Sequence, residues 1–225
     1  MNFGRRRHSM VFGNETSLYL VAGFAGVQFG LLSSVEKYDT RKEICMLVGD
    51  LVYAVDSAAC IADYNILYVF GGGDKDGNPV NFVQAFDTTR NTCTLLVQPL
   101  PRPAKLLRAV LWDRLVIVTC LESCFIFNIE KQLWYPRPQF RSGKIHFGCV
   151  IENQRLYVFG GGNNVRDPAT GVFGWILSDQ IRYVPVADIV EDKPAQWMGA
   201  EHHRLPVPCL VHAYAAVTAA TGTRR

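Results

Sequence analysis

The sequence predicts an all-β protein, a β-propeller of about four four-stranded blades plus part of another, in a single domain over residues 1–225. Three observations carry this expectation. Strand-like phrases recur at intervals of 49, 48 and 41 residues, each follows an apolar stretch and a polar turn, and an aromatic residue repeatedly stands seven positions ahead of a Cys or Trp. A fixed period of this length, with four strands per unit, is the signature of propeller blades.

The recurrent phrase is the second strand of each unit: "LYLVAGF" from Leu18, "LYVFGGG" from Leu67, "LVIVTCL" from Leu115 and "LYVFGGG" from Leu156. Before them stand "HSMVFGNETS", "AACIADYN", "RAVLWDR" and "HFGCVIENQR". Each pair reads as a hairpin, with Gly-Asn, Asp-Tyr-Asn, Trp-Asp-Arg and Glu-Asn-Gln supplying the turn. The third and fourth strands follow from the aromatic spacing. Tyr38 precedes Cys45, Phe86 precedes Cys93 and Phe127 precedes Trp134 by the same seven residues, around tight turns at Asp39-Thr40, Asp87-Thr88 and Asn128-Ile129. In the fourth unit Tyr183 is separated from Trp197 by "ADIVEDKPAQ", which predicts an enlarged turn. The approximate repeats are 8–50, 51–99, 100–139, 140–198 and an incomplete 199–225, whose opening strand is Leu205–Val217. Helical periodicity is almost absent. The third strand of the second unit alternates Phe82, Gln84 and Phe86 against Asn81, Val83 and Ala85. Arg102-Pro103 and Arg137-Pro138 open units in a similar way, with Arg expected at the rim.

Composition narrows the function. The 23 Lys and Arg against 20 Asp and Glu leave a charge of +3, with "RRR" at Arg5 to Arg7 and Arg224-Arg225 at the ends, so no nucleic-acid partner is expected. No apolar run reaches the roughly 20 residues of a membrane helix, and no membrane partner is expected. Seven scattered cysteines, Cys45, Cys60, Cys93, Cys120, Cys124, Cys149 and Cys209, read as reduced thiols of a cytosolic or nuclear protein. The expected localisation is cytoplasmic, with nuclear or cytoskeletal placement as the alternatives.

The motifs that suggest chemistry also have structural readings. A Gly-rich run can cradle a phosphate at a helix start, but neither "GGG" is followed by Lys-Ser, Lys-Thr or a helical pattern. Gly23, Gly71, Gly72, Gly160 and Gly161 are instead expected at the inner ends of blades, where the axis leaves no room for Cβ atoms. "DKDGN" at Asp74 to Asn78 opens like a calcium loop, yet Ala85 stands where the bidentate Glu is needed. Cys120 and Cys124 are expected to share one face of a strand as core thiols, since no second ligand pair lies at metal spacing. His202-His203 belongs to the polar "GAEHHRLP" stretch, expected as a loop, and His8, His146 and His212 each stand just before an apolar strand. No nucleophile elbow is present. No enzyme activity, cofactor or metal is expected. Binding is assigned to loops following the glycine strands: Asp74, Lys75 and Asp76 in one, and Asn163, Asn164, Arg166, Asp167 and Trp175 in the longest, "NNVRDPATGVFGW". Arg and aromatic side chains there suit a protein partner.

Together these residues resemble the kelch repeat: an apolar strand ending in Gly-Gly, a Tyr-Asp step, and Trp about seven residues on. Gly71-Gly72 and Gly160-Gly161 match the doublet, Ala22-Gly23 half of it, and Thr119-Cys120 departs from it. Trp134 and Trp197 match the tryptophan, whereas Cys45 and Cys93 replace it. The resemblance covers about residues 8 to 217 and implies a kelch-type propeller, here incomplete, read as a fragment, a truncated isoform or the end of a longer protein. It goes furthest with BTB-kelch proteins, in which the propeller recruits substrates to a cullin-3 ubiquitin ligase through a BTB domain not present in these residues. The implied partner is a protein, or a ubiquitination substrate. The alternatives are a cytoskeletal, actin-associated scaffold and, further off, a copper-radical oxidase-like propeller, whose Tyr, Cys and His arrangement the spacing here does not repeat.

Overall fold

In a computed structural model of the protein, the described residues are 4–14, 16–166, 168, 171 and 173–209. They build four antiparallel sheets, each from strands consecutive in sequence. Blade 1 comprises β1 (Ser9–Asn14), β2 (Ser17–Val21), β3 (Ser34–Asp39) and β4 (Ile44–Asp50). Blade 2 comprises β5 (Ala59–Asp63), β6 (Ile66–Phe70), β7 (Val83–Asp87) and β8 (Thr92–Leu95). Blade 3 comprises β9 (Arg108–Trp112), β10 (Leu115–Thr119), β11 (Cys124–Asn128) and β12 (Leu133–Pro136). Blade 4 holds β13 (Ile145–Glu152), β14 (Arg155–Arg166), β15 (Phe173–Leu177), β16 (Gln180–Pro185) and β17 (Met198–Arg204), with a short helix α1 (Val186–Val190) after β16.

The turns explain why the strands meet in register. In blades 2, 3 and 4 the first hairpin pairs Asp63 with Ile66, Trp112 with Leu115 and Glu152 with Arg155, and Tyr64, Asp113 and Asn153 adopt positive φ in these two-residue loops. Such loops match the right-handed twist of the strands they join. At the second turn Asp39 and Asp87 each accept two backbone N–H bonds through one carboxylate oxygen, from Arg41 and Lys42 and from Thr89 and Arg90. Asn128 accepts the corresponding bond from Lys131. Side chains that bond their own backbone this way close the turn without help from the partner strand. As a result Tyr38 faces Cys45, Phe86 faces Cys93 and Phe127 faces Trp134 directly across β3–β4, β7–β8 and β11–β12. In blade 4 the helix and its turn intervene, and Tyr183 pairs with Met198 rather than with Trp197.

Three apolar cores fill the spaces between consecutive blades. Tyr19, Val21 and Val35 of blade 1 pack with Leu67, Val69 and Phe86 of blade 2. Tyr68, Phe70 and Val83 meet Val116, Val118, Phe125 and Phe127 of blade 3. Ile117, Ile126 and Phe140 meet Phe147, Leu156, Val158 and Val184 of blade 4. Blades 2 and 3 are therefore buried on both faces, and fully burying each large side chain contributes roughly 1.5–3 kcal/mol. The innermost strands β1, β5, β9 and β13 line a central channel of about 350 Å³.

The alternation expected in the second unit holds: Phe82 and Phe86 enter the core shared with blade 1, Val83 and Ala85 that shared with blade 3. Gln84 is buried, where its amide accepts from Tyr53 N–H at 2.8 Å and donates to Tyr53 O at 3.1 Å. Other expectations are corrected. Cys120 and Cys124 are buried but flank the β10–β11 turn instead of sharing a strand, and they enter different cores. Burial pushes the Cys149 thiol up to about 12 and raises that of Cys124 as well. Arg137 is not at the rim: its guanidinium donates to Ile189 O at 2.7 Å and Val190 O at 3.0 Å, tying blade 3 to α1. The fourth sheet runs past residue 198 to Arg204, so the backbone of the expected loop 199–206 is strand as far as Arg204. The end of the expected fifth unit, including His212, lies outside the described residues.

Candidate functional site: the loop face and its β-hairpin arm

The connections after β2, β6 and β10, the segments between blades, and an arm from blade 4 emerge on one face of the arc. Backbone crowding shapes its floor. Gly71 has φ +56° and a Cβ there would lie 2.5 Å from Ala104 O, while at Gly72, φ +109°, it would lie 2.6 Å from Asp56 O. The crowding comes from the segment entering the same blade and the one entering the next, a more specific cause than convergence on the axis. Gly23 N–H and Gly72 N–H donate to the incoming segments at Val55 O and Ala104 O, both at 2.9 Å. The glycines thus lock one blade to the next.

The expected loop of blade 4 is an arm of two strands. β14 continues past the sheet, and β15 pairs with its extension, setting Asn164 opposite Trp175 and Arg166 opposite Phe173. Sequence reading took this stretch as loop because Asn, Gly and Pro168 interrupt it, although "VFGWIL" carried a strand signal. Asn163 stands at the base, where its amide, oriented to satisfy its neighbours, donates to Gly143 O at 3.2 Å and Gly162 O at 3.0 Å. Further out, Arg166 Nε donates to Gly171 O at 3.1 Å and its guanidinium lies over Phe173. Trp175 packs beside His146, with ring centroids 5.9 Å apart. Phe173 and Ile176 remain 66% and 64% exposed, and Val165, Trp175 and Leu177 are exposed too. Asp167 lies outside the described residues.

Asp74, Lys75 and Asp76 sit two blades away, in the β6–β7 connection. Asp74 accepts backbone N–H bonds from Asn78 at 2.8 Å and Asp76 at 2.9 Å, which hold its carboxyl below the ordinary value. Its oxygens are thereby committed to shaping the loop. Lys75 pairs with Asp76 at 2.8 Å in water, an interaction of little energetic weight. The structure therefore gathers Asn163, Asn164, Arg166 and Trp175 on one arm and leaves the acidic loop as a separate feature. Among the described residues no group of three or more His, Cys, Asp or Glu is placed to hold a metal.

Sequence reading missed Lys144 and Arg182 at the root of the arm. Arg182 Nη2 donates to Ser142 O at 2.6 Å and its guanidinium lies over Trp197, which gives that marker a polar role beside its packing one. Lys144 donates to Ser178 Oγ. Burial, then repulsion from Arg182, bring Lys144 down to about 8, against a smaller upward pull from Asp179. Because the folded value lies below the ordinary 10.5, the unfolded chain holds more protons between those limits, and stability from this group rises with pH across that window. Lys144→Met is expected to melt above the wild type at pH 7, with the gap closing between about pH 8 and 10.5. A gap independent of pH would refute the strained charge.

No protein-family model matches the chain. Among curated proteins it is similar to Kelch-like protein 35 of Mus musculus, 31% identical over 175 residues, covering 77% of this chain and 30% of that protein. It is also similar to Kelch-like protein 38 of Rattus norvegicus, 27% identical over 136 residues, covering 58% of this chain and 23% of that protein. The match to Kelch-like protein 38 of Homo sapiens is 26% identical over the same length. The matches thus span less than a third of each relative. With the four-bladed architecture, these relatives support a propeller made for protein interaction.

Proposed function

We propose that this kelch-repeat propeller binds a protein partner through the β14–β15 arm, as the substrate-recognition part of a cullin-3 ubiquitin ligase adaptor. The observation that carries the reading is the exposed row Phe173, Trp175 and Leu177 along one face of a paired, blade-rooted arm, with Val165 and Ile176 exposed on its other face. Contiguous apolar patches on a protein surface mark interaction sites, and rigid presentation reduces the entropy lost on binding. The ligase half of the proposal rests on the kelch-type resemblance, with the cullin-3 contact assigned to a BTB domain outside these residues. The free thiols suit a reducing compartment, so the proposed location is the cytoplasm, with the nucleus as the other compartment of the same redox character.

The test uses the full chain fused to a BTB module and expressed in cells. Proteins captured by the wild type are expected to become ubiquitinated, and Trp175→Ala is expected to weaken their capture about 30-fold, as loss of an aromatic hot spot does. Capture unchanged by Trp175→Ala and Phe173→Ala would remove the arm from the interface. Co-sedimentation of the chain with actin filaments, without ubiquitination, would replace the adaptor reading with a cytoskeletal scaffold.

A further inference from the structure

Two cations meet at the root of the arm with no acidic side chain between them. Arg182 of β16 donates from Nη2 to Ser142 O at 2.6 Å, and Lys144, two residues along the same turn, donates from Nζ to Ser178 Oγ just past the end of β15. The turn itself is fixed, since Ser142 Oγ donates to Lys144 O at 2.8 Å and the Asn163 amide donates to Gly143 O at 3.2 Å. Asp179, three residues before Arg182, is already held by Arg204 at 3.1 Å. Among the described residues no carboxylate forms an ion pair with Lys144 or Arg182.

A partly buried cation ordinarily keeps a counter-charge, because burial penalises the charged form and a like neighbour adds to the penalty. Both effects act on Lys144, and burial acts on Arg182. Arg182 also keeps a buried Nε with no hydrogen-bond partner among the described residues. Solvent reaches the pair, since both side chains are only partly buried and a Cβ placed on Gly143, between Ser142 and Lys144, would meet no atom within 4 Å. We propose that Lys144 and Arg182 bind a phosphate group carried by a phosphorylated side chain of the protein partner. A phosphate monoester carries a charge of about −1.5 to −2 near neutral pH and three acceptor oxygens, so it neutralises both cations, whereas a carboxylate neutralises one. Lys acts on it as a point charge and Arg through oriented N–H donors. The carrier rests on the reading that a partner docks on the arm, whose row Phe173, Trp175 and Leu177 ends one residue before Ser178; the anion site does not.

Inorganic phosphate tests the site directly. In calorimetric titration of the full chain at fixed ionic strength, phosphate is expected to bind, and Lys144→Met and Arg182→Met are each expected to weaken it at least about tenfold, as loss of a hydrogen bond to a charged group does. Lys75→Met, at an exposed ion pair two blades away, should leave it unchanged. Lys144→Met relieves a strained charge and is expected to fold, so a loss in that variant reports on the site. Absence of phosphate binding, equal binding by Lys144→Met, or acetate bound as tightly as phosphate overturns the proposal. The carrier is tested on partners captured from cells. Phosphatase treatment should weaken their capture by the wild type about tenfold and leave capture by Lys144→Met/Arg182→Met unchanged. Capture that depends on Trp175 yet resists phosphatase overturns the proposal and leaves the arm reading intact. Phosphate bound through Lys144 and Arg182 with no capture through Trp175 upholds the anion site and refutes the arm as its carrier's dock.

Discussion

Phe127→Ala is expected to destabilise the protein by about 3–5 kcal/mol, as deletion of a fully buried aromatic does. Phe127 has no exposed surface and stands at the centre of an aromatic group: Trp134 at 4.7 Å, Phe70 at 6.0 Å and Tyr68 at 6.3 Å between ring centroids. Truncation removes contacts with blade 2 and with the neighbouring strand together, and strands held in two ladders cannot collapse into the space. Against a total stability of about 5–15 kcal/mol, the loss should appear as a large fall in the urea midpoint. Val97→Ala, at a residue 91% exposed, should stay within about 0.5 kcal/mol. A loss below about 1 kcal/mol at Phe127 would show that the blades are not joined through this ring.

Glu36→Gln is expected to cost a similar amount, about 3–5 kcal/mol, by stranding a buried charge. The Arg5 and Glu36 side chains are both fully buried and paired with each other. Arg5 also donates to Ala22 O at 3.0 Å, Ser34 O at 3.1 Å and Ser34 Oγ at 3.0 Å, while Cys45 Sγ donates to Glu36 Oε2. The amide keeps the shape but cannot neutralise the guanidinium, so the segment before β1 should detach from blade 1. Denaturant titration of Glu36→Gln and of Arg5→Met/Glu36→Leu separates the terms: the double variant should recover most of the loss, because an apolar pair strands no charge. Equal losses in both would place the effect in packing instead.

The sequence revealed most where a side chain acts on its own neighbours. Asp39, Asp87 and Asn128 close their turns locally, so the aromatic-to-Cys/Trp spacing translated directly into cross-strand pairing. It revealed less where a distant segment decides. The burial of Gln84 could not be read from its neighbours because its partner, the Tyr53 backbone, lies 31 positions away. The Lys144–Arg182 pairing of like charges was invisible for the same reason, since β16 and the segment before β13 meet only in the folded blade. The arm was misread because its strand pairing continues beyond the sheet that anchors it. The binding assignments themselves remain tied to Trp175, Arg166 and their neighbours through the capture experiment.

The three inter-blade cores have a consequence for how the protein is made. Each joins units adjacent in sequence, so a nascent blade needs only its predecessor in order to bury its apolar face. At synthesis rates of about 5–20 residues per second, a new repeat leaves the ribosome every few seconds, long enough for docking before the next appears. Apolar strands would then spend little time exposed, and the growing end of the arc, rather than the finished molecule, would be the surface that chaperones meet.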